Sequence, residues 1–336
     1  MPTPPASPNP VSPSPAVSAV EGERLTAPPD PAASGRRARR SGGGGFTPYA
    51  LLMPALIVLA VITGWPLVQL LIMSVQKFGR AQVFGAPPEF IGLGNYLDVL
   101  TDPEFWQVLS RSVVFAAVCV VTTMILGVLV ALLMNRLGAV LRTLVSVGLL
   151  LAWAMPPLSA TIVWGWIFDT QYGVLNYMLT NWLGLDFAGH QWLIEPLSFF
   201  FVATIIIVWG AVPFVAFTVY AGLTQVPEEV LEAAQLDGAG GFQRFFLVVV
   251  PFIRPILTIV TILQVIWDLR VFTQIYSLQS IGGLAEQTNT LGVYIYRVSL
   301  GSGDFGAGGA ISVIVVLLLV AVSIFYVRRS LKEEAL

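Results

Sequence analysis

Six long apolar runs punctuate the chain, from Tyr49 to Val75, Ser112 to Met134, Leu144 to Phe168, Leu197 to Tyr220, Pro255 to Leu278 and Phe305 to Val327. Each is near or above the ~20 residues that a helix needs to cross a ~30 Å hydrocarbon layer. Inside hydrocarbon every backbone amide must be paired within its own segment, and runs of this length far exceed barrel strands, so six transmembrane helices are predicted. Residues 1–45 differ sharply. They hold repeated Pro, Ser and Ala, the run Arg36-Arg37-Ala38-Arg39-Arg40 and a Gly run, with almost no large apolar side chain. Such a stretch cannot bury a core and is expected to be a disordered cytoplasmic tail touching anionic lipid, with residues 46–336 forming the membrane domain.

Composition agrees, since 336 residues that are 56% hydrophobic and 11% charged carry more apolar surface than a soluble core of this size uses. The net charge of -2 is uninformative as a total, whereas the placement of positive residues sets orientation. With the amino terminus inside, the inner segments hold Arg24, Arg36, Arg37, Arg39, Arg40, Arg136, Arg142, Arg244, Arg254, Arg328, Arg329 and Lys332, which is 12 of the 17 Lys and Arg. Both termini are therefore expected in the cytoplasm, and the chain in the cell membrane as a multi-pass protein. The fold class is all-α, a six-helix transmembrane bundle.

Several chemistries are excluded. Cys119 is the single cysteine and sits in an apolar run, which reads as a small lipid- or helix-facing side chain, and His190 alone cannot build a multi-His metal site. Neither lysine, Lys77 nor Lys332, follows a glycine as a phosphate-binding G-x-x-x-x-G-K-[ST] loop requires, so ATP is not bound here in that way. No serine-nucleophile elbow occurs, and the one basic cluster lies beside the membrane, which argues against nucleic acid. No catalytic residue, cofactor or metal is expected.

Between the fourth and fifth runs lies a polar island, Glu232-Ala233-Ala234-Gln235-Leu236-Asp237-Gly238-Ala239-Gly240-Gly241-Phe242, followed by Pro251 and Pro255. Pro227 suits a first helical position, and Glu228, Glu229 and Glu232 place negative charge near the helix start. Gly238, Gly240 and Gly241 are expected to take positive φ and end that helix, and a second helical piece should run from Phe242 to Pro251. This island resembles the cytoplasmic coupling loop, about residues 222–251, of integral membrane permeases of bacterial ABC importers. The resemblance implies that Glu232, Ala233, Ala234, Asp237 and Gly238 meet a separate ATP-binding subunit and relay its closure to the transport path.

Two further segments resemble the carbohydrate branch of that family. The first is Phe90-Ile91-Gly92-Leu93-Gly94-Asn95-Tyr96 with Asp102-Pro103-Glu104-Phe105-Trp106. The second is Ala152-Trp153-Ala154-Met155-Pro156-Pro157 with Gly173-Val174-Leu175-Asn176. Physically, Met155-Pro156-Pro157 must break or kink the third helix, because two prolines remove two donors. A third segment departs from the branch: Leu284 stands where Pro is usual after Gly282-Gly283.

For the path itself, Gly210 and Phe214 share one face near the middle of the fourth run. In the fifth run Thr258, Thr261, Gln264 and Asp268 form a polar stripe within an arc of roughly 120°. A charged Asp at that depth costs on the order of 2.5–3.5 kcal/mol unless it faces protein or water. Gln264 and Asp268 could pair with sugar hydroxyls while Trp267 or Phe214 stacks on a sugar face, and the alternative is a stripe that serves only interhelical packing. The resemblance implies a permease subunit of a carbohydrate importer. Its partners would be a second permease, an ATP-binding subunit dimer, an external solute-binding protein, a sugar and membrane lipid. The alternatives are a permease for an amino acid or phosphate compound, a stand-alone channel, or a membrane enzyme.

Overall fold

The computed structural model of the protein describes residues 47–334, so the expected disordered tail at 1–45 lies outside the described residues. The chain divides into two units, residues 1–58 and 59–336. The described part of the first unit belongs to α1 (Thr47–Leu59), whose side chains from Leu51 on are exposed.

A π-helical turn, Ala60–Gly64, precedes α2 (Trp65–Ser74). After it come β1 (Gln76–Lys77), α3 (Arg80–Val83), β2 (Glu89–Phe90) and α4 (Gly94–Thr101), and the two strands pair antiparallel with Gln76 opposite Phe90. The hydrophobic pattern gives no sign of this ribbon, because two residues per strand are too few for alternation to register. The ribbon is held from behind: Asn95 Nδ2 donates to the carbonyls of Ser74 and Gln76, both at 2.9 Å, and the hydroxyls of Tyr96 and Ser74 lie 2.7 Å apart.

Next, α5 (Pro103–Arg136) begins well before the expected Ser112. Asp102 is its N-cap, with Oδ1 accepting the backbone N–H of Glu104 at 2.9 Å, and Pro103 fills a first-turn position whose N–H would have no partner. Phe105 is then drawn into a core cluster with Val99, Val108, Leu291, Tyr294 and Ile311.

The third apolar run is two helices, α6 (Ala139–Ala154) and α7 (Pro157–Ile167), meeting at 101° across Met155 and Pro156. This is a break at the position where two successive donors are missing. The break or kink expected at Met155-Pro156-Pro157 is therefore a full break, and the run begins at Ala139, ahead of the expected Leu144. A short α8 (Val174–Asn181) and a loop follow, and then α9 (Pro196–Leu223) runs unbroken through Pro213.

Beyond α9 come α10 (Glu228–Leu236), α11 (Gly241–Arg244), a π-helical turn Phe245–Val249 and α12 (Val250–Leu269). Pro251 does not stop the helix. It sits at the start of α12, just past the wider π turn, where a missing N–H breaks no α-helical bond, so the fifth span starts at Gly241 and not at Pro255. The remaining elements are α13 (Thr273–Ile281), α14 (Ala285–Thr288), α15 (Leu291–Tyr296), a π turn Arg297–Gly301 and α16 (Phe305–Glu334).

Five helical stretches among the described residues are long and apolar enough to cross a membrane, and the bent α6–α7 pair makes six. The result is an all-α membrane bundle with a tightly packed centre, α5 against α9. A Cβ on Gly127 of α5 would lie 2.5 Å from Val215 Cγ1 of α9, so glycine allows the two backbones to approach. Below that crossing Ala131, Val215, Val219, Ile253 and Val260 join α5, α9 and α12 in one apolar cluster.

Candidate functional site

Two places assemble the residues singled out in the sequence. The first is a cavity of about 480 Å³ bounded by α9, α12, the α6–α7 break and the turn after α12. Gly210, Phe214, Gln264, Trp267 and Asp268 all line it. Gly210 is not a packing notch: a Cβ built there meets nothing within 4 Å, so the missing side chain widens the cavity. The rings of Phe214 and Trp267 meet edge to face at 5.0 Å.

At the cavity wall Gln264 and Asp268 are 1% and 4% exposed, and Gln264 Nε2 donates to Asp268 Oδ1 at 3.0 Å. They stand one turn apart on α12, which gives this geometry from spacing alone. That bond uses one polar atom of each pair, and Gln264 Oε1 and Asp268 Oδ2 are left buried without a partner. Orphaned acceptors of this kind are costly unless something donates to them. The cavity therefore presents acceptors beside two aromatic rings, a surface suited to a ligand rich in O–H or N–H donors with an apolar face.

Of the polar stripe, only Gln264 and Asp268 reach this cavity. Thr261 returns its hydroxyl to the carbonyl of Leu257 at 2.7 Å, and neither it nor Thr258 lines the wall. Trp153, Met155, Phe272 and Gln274 also line the cavity and went unnoticed as site residues. The proline pair beside Trp153 and Met155 was the available signal, since a broken helix turns side chains toward whatever lies across it. Arg270 lines the same cavity and is exposed.

The second place is the α10 loop. Pro227 is the N-cap and Glu228 the first helical residue, one position later than expected. Gly238 alone of the three loop glycines has positive φ, at 83°, whereas Gly240 is extended and Gly241 begins α11. The helix ends in a Schellman turn in which Ala239 N–H reaches the Ala234 carbonyl and Gly238 N–H that of Gln235, both at 3.0 Å. A latch invisible in the sequence holds the next element: Arg244 Nη1 donates to Gln235 Oε1 at 3.0 Å. Glu232, Ala233, Asp237 and Gly238 are exposed, Ala234 is half-buried, and Leu236 and Phe242 stand 89% and 78% exposed on the same loop.

The other isolated residues take plainer places. Cys119 is buried against Thr204 of α9, with its sulfur 3.9 Å from the hydroxyl, and so faces a helix. His190 is exposed and edges Trp192 at 4.6 Å. Among the described residues no group of His, Cys, Asp and Glu could hold a metal ion.

The family described as binding-protein-dependent transport system inner membrane component matches residues 123–332. The diacetylchitobiose uptake system permease protein DasB of Streptomyces coelicolor is 43% identical over 301 residues, covering 89% of this chain and 92% of its own. The trehalose/maltose transport system permease protein MalF of Thermococcus litoralis is 34% identical over 283 residues, covering 83% and 92%. In fold, the chain is similar to one from the bacterial alginate ABC transporter in complex with alginate pentasaccharide-bound periplasmic protein, with a TM-score of 0.71, 20% identity and coverage of 84% and 92%. Matched over more than half its length, and similar along most of it to permeases of this kind, the multi-pass chain belongs to the binding-protein-dependent transport system inner membrane component family.

Proposed function

We propose that this chain is a permease subunit of an ATP-driven importer that carries a sugar or oligosaccharide across the cytoplasmic membrane into the cell, with both termini in the cytoplasm. One observation carries the reading: the orphaned acceptors of Gln264 and Asp268 share a cavity with Trp267 and Phe214. The names of the relatives, which are sugar uptake permeases, support it. Sugar hydroxyls donate to Gln264 Oε1 and Asp268 Oδ2, and an aromatic ring covers the sugar's apolar face. Gly210 leaves the room that a bulkier residue would fill.

ATP hydrolysis belongs to a separate subunit dimer, and α10 is the surface that meets it. Glu232 and Asp237 supply polar contacts, Ala233 and Ala234 permit close approach, and Gly238 sets the turn that aims the helix. The exposed Leu236 and Phe242 add apolar area of the kind that a partner covers. A second permease completes the path, an external solute-binding protein delivers the sugar, and lipid surrounds the bundle. Rocking of the bundle then exposes the cavity to one side and then the other.

Reconstitution in proteoliposomes with the second permease, the ATP-binding subunits and the binding protein tests this reading. Uptake of diacetylchitobiose or maltose, driven by ATP and dependent on binding protein, is the expected result. An assembled complex that hydrolyses ATP in response to an amino acid or a phosphate compound, and to no sugar, overturns it.

A further inference from the structure

A second pocket, of about 490 Å³, lies away from the cavity, in the segment between α7 and α9. Its frame is rigid. Asp169 Oδ1 accepts the backbone N–H groups of Gln171 and Tyr172, both at 2.8 Å, and closes a tight turn. The 6%-exposed amide of Asn176 ties this turn to the far end of the loop, donating to the His190 carbonyl at 2.9 Å and accepting from Trp192 Nε1 at 2.7 Å. Gly173 admits no side chain, because a Cβ would run into the Asp169 carbonyl.

The walls of this pocket have a distinctive chemistry. Thr170, Gln171, Thr180 and Asn181 supply hydroxyls and amides, and Tyr172 and Tyr177 stand 87% and 60% exposed beside them. No Asp, Glu, Lys or Arg lines it. Thr180 Oγ1 is buried and has no hydrogen-bond partner. An ionised ligand would find no counter-charge here and would lose solvation without repayment. A lipid chain would strand the amides. Neutral polar groups with aromatic faces alongside match a ligand that carries hydroxyls around an apolar ring face, and the volume lies in the range of small-molecule sites.

We propose that this pocket is a second saccharide subsite, which holds a neutral sugar on the face of the permease opposite α10 as it passes toward the cavity of Gln264 and Asp268. The inference rests on the sugar-importer reading and adds a site separate from that cavity. Tyr172 and Tyr177 stack on the sugar, and Gln171, Thr180 and Asn181 exchange hydrogen bonds with its hydroxyls.

The test uses the full complex in nanodiscs, with diacetylchitobiose and maltose as probes and glucuronic acid as the charged comparator. Saturation-transfer NMR reads sugar contact, and uptake kinetics are measured in parallel in proteoliposomes. The expected result is a contact signal with a neutral probe that survives in Gln264→Leu and falls in Tyr172→Ala and Gln171→Ala. Those two variants should also raise KM for uptake about three- to tenfold at an unchanged maximal rate. Unchanged signal and KM in both, with the wild type still transporting, overturns the subsite and leaves the importer reading standing. Loss of binding-protein docking in the absence of sugar assigns the pocket to a protein partner instead. Failure of the wild type to take up either sugar removes both readings.

Discussion

Gln264 donates from Nε2 to Asp268 Oδ1 at 3.0 Å, and the pair leaves one acceptor on each residue buried and unpartnered at the edge of a cavity. A purely structural hydrogen bond between neighbouring helices would satisfy these atoms across the interface, whereas this one is made within α12 and keeps two acceptors free. Asp268→Asn retains the shape and places an amide where an acceptor is required. Uptake should then lose a hydrogen bond to a buried acceptor, about 1–3 kcal/mol, seen as a roughly five- to hundredfold rise in KM. Initial-rate uptake at saturating binding protein checks this, and kinetics equal to wild type would assign the pair to packing.

Coupling should depend on α10 through its surface and its turn. Glu232→Lys reverses an exposed charge, so the protein should assemble normally while ATPase stimulation by loaded binding protein collapses. Gly238→Ala meets no atom within 4 Å, and its cost is the left-handed backbone alone, about 1–2 kcal/mol. Stimulated and basal ATPase rates, compared in one preparation, separate the effects, and full stimulation in Glu232→Lys would refute the docking role.

The α5–α9 crossing makes a stability prediction free of any functional assumption. Gly127→Ala forces a methyl against Val215 and should cost about 1–3 kcal/mol. Gly148→Ala, where a Cβ meets nothing within 4 Å, should be neutral or slightly stabilising. Thermal unfolding of the two purified variants, followed in detergent, decides it, and equal midpoints would contradict the crossing.

Tyr294 carries a pH prediction. Its hydroxyl donates to Asp102 Oδ2 at 3.1 Å, and burial, followed by the Asp102 charge, pushes the phenol up from its ordinary value. Because the folded state holds that proton more tightly than the unfolded chain, the stabilisation is complete below the unfolded value of about 10 and declines as pH rises through and beyond it. Tyr294→Phe should lower the midpoint at pH 8 and flatten its fall between pH 9 and 11. A variant melting curve parallel to wild type across that range would show that the hydroxyl contributes nothing.

What could be read from the sequence was whatever depends on neighbours along the chain. Apolar length gave the membrane helices, Pro156 and Pro157 gave the break, and the run from Glu228 to Gly238 gave a short helix ended by a glycine, since helix start, stop and kink are set within a few residues. Even there, equivalent-looking glycines parted company: Gly238 is left-handed while Gly240 and Gly241 are not, because one αL residue completes the Schellman turn and the next two already serve α11. Asp102 and Tyr294 are 192 positions apart in the chain, and only packing shows that Asp102 both caps α5 and accepts from the Tyr294 hydroxyl.

The sequence by itself determined that this is a helical membrane protein with a short polar helix between its fourth and fifth spans, because solvation in hydrocarbon and local capping leave few alternatives. Tertiary structure decided which polar residues share a cavity. Gly210 and Phe214 of α9 face Gln264 and Asp268 of α12 across a space opened by the α6–α7 bend, and Thr261, one turn from Gln264, is excluded because its hydroxyl is spent on its own helix. Helix spacing places side chains on a face, but only the packing of several helices determines what that face meets.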